Sequence, residues 1–95
     1  MPSEEELRQV LDSIRVPDVL LGALATTVSL GFRCVSSEAR DLEQAKLAIE
    51  ALRALEPVLR EGGVEDAIVR DLEQARVNLQ LAYARAVSEA PGTDP

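Results

Sequence analysis

RDLEQAKLAIEALRALE, running from Arg40 to Glu56, decides the fold, and its first six residues return as Arg70–Ala75. Leu42, Ala45, Ile49 and Leu52 alternate spacings of three and four, the seam along which one helix packs on another. Arg40, Glu43, Lys46, Glu50, Arg53 and Glu56 fall on the opposite side with alternating sign. Neighbours in that row stand three or four residues apart, so each pair favours the helix by about 0.2–0.5 kcal/mol. The second copy opens an equivalent seam, Ile68, Leu72, Ala75, Leu79, Ala82 and Ala86, with its own ladder Arg70–Glu73–Arg76. In both copies Leu and Ala fall on the seam while the charges turn to water. The repeat therefore reads as one packing device used twice. A doubled metal site fits poorly: carboxylate sites in helical bundles pair Glu with His, and the chain has no histidine. A solenoid fits no better, because each repeat unit holds one helix instead of a helix pair.

Outward from this segment the chain divides into four helices, expected at 4–14, 17–31, 38–60 and 64–89, with a disordered tail at 91–95. Ser3 and Glu6 form a capping box ahead of an apolar stripe of Leu7, Val10, Leu11 and Ile14. Pro17 ends that helix and opens the next. Val19 to Phe32, VLLGALATTVSLGF, is apolar on nearly every side and holds a strip of small residues, Gly22, Ala25, Thr26 and Ser29. At 14 residues this run falls short of the ~20 needed to span a bilayer, which predicts a covered helix of a protein that binds no membrane. Ser36 or Ser37 is expected to cap the third helix, and Gly62–Gly63 to make the turn into the fourth.

Composition bounds the function. Of 95 residues, 46% are hydrophobic and only Phe32 and Tyr83 are aromatic, which predicts an aliphatic core. A net charge of −7 without any basic run disfavours nucleic acid and anionic lipid. The acidic start, Met1 to Gln9, lacks the basic and apolar regions of a secretory signal, and the single Cys34 forms no internal disulfide, so a cytoplasmic protein is expected. With no histidine, Ser-His-Asp and Cys-His catalysis are excluded. Gly62–Gly63 lacks the rest of a phosphate loop, and Cys34 reads as a small residue near a helix end. No catalytic residue, cofactor or metal ligand is expected.

LGF at Leu30–Phe32, followed by DLEQAKLAIEALRALE, resembles a small bacterial family, domain of unknown function 1844. The matching positions are Leu30–Gly31, Asp41–Lys46, Ile49, Glu50, Leu52, Leu55–Glu56 and the late Tyr83. The loops CVSSEAR and PVLREGGV depart from the family pattern. The resemblance implies a short helical protein and no established activity.

Together these readings predict an all-α protein, a small antiparallel helical bundle of three main helices plus a short N-terminal one, completed by dimerisation. The expected interface lies on the second helix, at Leu20, Gly22, Leu24, Val28 and Phe32, with Tyr83 of the fourth. A monomeric four-helix bundle, in which the N-terminal helix folds back over the second, is the competing arrangement. The expected role is a non-catalytic, self-associating interaction module with a possible protein partner. A binder of a small apolar ligand within the bundle, or an accessory subunit of an enzyme, is the alternative.

Overall fold

The computed structural model describes residues 3–89, so the expected tail at 91–95 lies outside the described residues. The protein is all-α: α1 (Glu4–Ser13), α2 (Val16–Val35), α3 (Leu42–Glu61) and α4 (Asp66–Glu89). The capping box forms as its residues dictate, with the Glu6 amide donating to Ser3 Oγ and the Ser3 amide donating to Glu6 Oε1. Helix α2 runs four residues past its expected end, through Gly31, because the apolar face continues to Val35. It stops where Ser36 turns extended and its hydroxyl donates to the Arg33 carbonyl at 2.6 Å. The α3 cap is Asp41, whose carboxylate accepts from the Gln44 amide at 3.2 Å, and neither Ser36 nor Ser37 fills that role. Helix α3 continues through Pro57 to Glu61.

The turn after α3 is made by backbone geometry. Gly63 has φ +89°, a left-handed conformation that favours glycine, and Val64 donates back to the Leu59 carbonyl at 3.1 Å. This is the bonding of a helix stop sealed by an apolar contact, and Val64 packs against the core.

Helix α2 lies antiparallel to α3 and parallel to α4. Gly31 of α2 meets Ala48 of α3 and Leu79 of α4, while Pro17 at the other end approaches Gly62. The core is aliphatic: Leu24 from α2; Ala48, Ile49, Leu52 and Leu59 from α3; Val69, Leu72 and Leu79 from α4. The seam residues Ala45, Ile49, Leu52, Leu72, Leu79 and Ala86 are all buried. At the start of α4 the inward residue is Val69, and Ile68, expected there, stays exposed.

Two further expectations are corrected. Among the described residues α1 packs on no other helix. Its stripe of Leu7, Val10, Leu11 and Ile14 is exposed, so the fold-back four-helix monomer is not formed. The rigid reason is at its exit: Ile14 and Arg15 are both extended, which carries α1 away from the body. Second, Glu56 and Arg76, expected on solvated ladders, pair across α3 and α4. Glu56 is buried, and Arg76 Nε donates to its two oxygens at 2.8 and 3.1 Å while Nη1 donates to Gln80. A second arginine, Arg60, bridges Asp66 and Glu73 over the turn. The hydrogen bond that Arg60 donates to Glu73 holds its pKa above the ordinary arginine value.

A Cβ at Gly31 would lie 2.6 Å from Leu79 Cδ2 and 3.2 Å from Ala48 Cβ, whereas one at Gly22 meets nothing within 4 Å. Gly31→Ala is therefore expected to lower stability by about 1–2 kcal/mol through overpacking, and Gly22→Ala to raise it by up to about 1 kcal/mol through helix propensity. Urea denaturation followed by circular dichroism measures both. The same assay applied to Glu56→Ala should show a loss of about 2–3 kcal/mol, tempered because Arg76 keeps some contact with water. Replacing both partners by leucine should be close to neutral.

Candidate functional site

Helix α2 is the most apolar of the described helices, and only Leu24 and Gly31 of its 20 residues are buried. The six expected interface residues do not share one outward surface. Leu24 is 2% exposed and belongs to the chain's own core, so it is not available to a partner. Leu20, Val28 and Tyr83 are half-buried and pack against that same core. Gly22 and Phe32 are exposed. The physical reason is the choice of inward face: α3 and α4 together claim the side of α2 centred on Leu24, and the small-residue strip is left at its edge. Gly22, Ala25 and Val28 there form one wall of a groove of about 510 Å³, opposite Ile68, Leu72 and Ala75 of α4.

A second outward apolar surface lies on the other side, across α2 and α3. On α2, Val19, Ala23, Thr26 and Leu30 follow one another at spacings of four, three and four. On α3, Leu47, Ala51, Ala54 and Val58 follow at the same spacings. Helical periodicity puts each set on a single stripe. Val19, Leu30, Leu47 and Val58 are 56%, 57%, 58% and 47% exposed. The two stripes flank a shallow groove of about 380 Å³ lined by Thr27, Leu30, Cys34, Leu47 and Ala51 among others. This surface was missed in the sequence because α2 is apolar all round. Its α3 half was readable as a second four-three-four pattern beside the main seam.

The hydroxyls on α2 do not make this surface polar. Thr26 and Thr27 donate to the carbonyls of Gly22 and Ala23 at 3.1 and 2.8 Å, and Ser29 donates to Ala25. Such bonds to the preceding turn satisfy the donors inside the helix, so these side chains can be covered without stranding a polar group.

The length argument against a membrane span also changes. As a helix, α2 has 20 residues, and by length and composition it is long and apolar enough to cross a bilayer. Its inward face, however, is packed on α3 and α4, whose outer sides carry charge. Among the described residues there is no group of three or more acidic, cysteine or histidine side chains able to hold a metal ion. Cys34 is half-buried in the wall of the α2–α3 groove.

No protein-family model, curated protein or solved structure was found to match this chain.

Leu24 and Leu30 are the same residue type six positions apart on one helix, one inside and one outside. Leu24→Lys is expected to collapse the fold, with loss of the cooperative thermal transition. Leu30→Lys should leave the far-ultraviolet helix signal of the chain unchanged.

Proposed function

We propose that this chain is a non-catalytic, self-associating module of the cytoplasm that acts through protein–protein contact, with a homodimer as its simplest closed form. The observation that carries this reading is the exposed apolar face across α2 and α3. Monomeric soluble proteins rarely show contiguous apolar patches beyond a few hundred Å². The chain is also extended, with an accessible surface of 6823 Å² against the roughly 5,400 Å² expected of a compact monomer of 10.3 kDa, and the projecting α1 contributes to that excess. Its radius of gyration of 17.0 Å compares with about 12 Å for a compact domain of this length. The net charge of −7 supports a protein partner over nucleic acid. The motif resemblance of Leu30–Glu56 to domain of unknown function 1844 is consistent with a short helical protein and adds no activity.

Sedimentation equilibrium over a wide concentration range tests the reading. A species of twice the 10.3 kDa chain mass is expected at micromolar concentration. A single-chain mass throughout would refute self-association. If that monomer cosediments with zwitterionic lipid vesicles, the α2 surface serves a bilayer instead.

A further inference from the structure

The self-association read above leaves open which surface closes the dimer, and the two outer stripes answer it. Helices α2 and α3 are antiparallel and level at known points: Gly31 with Ala48, Cys34 with Gln44 across the shared groove, Pro17 with Gly62. At that level Val19 stands beside Val58, Ala23 beside Ala54, Thr26 beside Ala51 and Leu30 beside Leu47. The spacing along α2 is four, three, four, and along α3 it is four, three, four in the opposite direction. A surface built this way is its own complement.

We infer that a second copy of this chain docks on the α2–α3 face about a two-fold axis parallel to the helices, setting α2 of each copy over α3 of the other. That operator places Leu30 over Leu47, Ala23 over Ala54, Thr26 over Ala51 and Val19 over Val58 between copies. Bulky residues oppose each other at the two ends of the face. Small residues meet at its centre, where the helix axes can approach within the 8–10 Å of ordinary helix packing. The product is a four-helix bundle of α2 and α3 from both copies, with each α4 on the outside.

The charges at the rim agree with this arrangement. Arg33 continues the α2 stripe, three residues after Leu30, and comes level with the first turn of the facing α3. Glu43 stands there, on the side of α3 turned away from its own α2. The ion pairs within the described residues involve Arg40, Arg60, Arg70 and Arg76, and neither Arg33 nor Glu43 takes part in one. The two-fold axis pairs each Arg33 with a Glu43 of the other copy, twice per dimer. A two-fold axis perpendicular to the helices, which stacks α2 on α2, would set like stripes together and leave both charges unpaired. The parallel operator sends both α1 helices out from one end of the dimer.

Dimer dissociation constants of charge-reversal variants test the face and its register together. Arg33→Glu and Glu43→Arg are each expected to weaken the dimer about tenfold, and the double variant to return it to within about threefold of the parent. Leu30→Lys and Leu47→Lys should each weaken it by about a hundredfold or more, with circular dichroism showing the helices intact, and Leu30→Ser serves if the lysine variant does not fold. Ala25→Lys, in the α2–α4 groove, should leave it unchanged. A dimer indifferent to Leu30→Lys and Leu47→Lys, or broken by Ala25→Lys, overturns this face while self-association stands. Single reversals that weaken the dimer without rescue in the double variant overturn the register. A parent protein that is monomeric throughout overturns both this inference and the reading beneath it.

Discussion

Everything in the body depends on how closely α2 approaches its neighbours at Gly31. The absence of a side chain lets Leu79 of α4 and Ala48 of α3 reach the α2 backbone together. That contact fixes the level of all three helices at once, because α2 is parallel to one neighbour and antiparallel to the other. It also fixes rotation. With about 100° between successive residues, a glycine that faces in forces the adjacent Leu30 to face out. The exposed apolar stripe of α2 is thus a geometric consequence of the close approach at Gly31.

The seam of α3 was legible in the sequence because its two sides differ in chemistry: Leu42, Ala45, Ile49 and Leu52 against Arg, Glu and Lys. Helix α2 offers no such contrast. Leu24 and Leu30 are indistinguishable by type, and only the positions of α3 and α4 separate them, so the expected interface was placed partly inside the core. The α3 half of the outer face has a pattern of its own, but Ala51 and Ala54 make it weaker than the main seam beside it. Glu56 and Arg76 were hidden for a different reason. Each fits an alternating ladder along its own helix, and their pairing requires the register between α3 and α4, which local spacing does not contain.

The repeat gives the clearest case of context overriding sequence. The hexapeptide is identical in both copies, yet Asp41 stands at the start of a helix and caps it, while Asp71 lies inside a helix already under way. Arg40 reaches back to the Val35 carbonyl and across to Glu89, tying the α2–α3 connection to the end of α4. Arg70 instead pairs with Asp66 one turn earlier in its own helix. What the copies share is the Leu–Ala step that lets helices approach. Their polar residues take whatever role the neighbouring chain provides.

Helix α1 has a capping box and three glutamates in its first turn, each favourable to the helix dipole. It has only ten residues, below the roughly 12–15 at which isolated helices persist in water, and among the described residues no other helix rests on its stripe. Its helical order and the covering of Leu7, Val10, Leu11 and Ile14 are therefore one linked equilibrium. Any surface that binds the stripe must also meet the entropy of winding the segment, which lowers the affinity gained per unit area. The helicity of this segment in solution is therefore expected to follow the fraction of molecules whose stripe is covered.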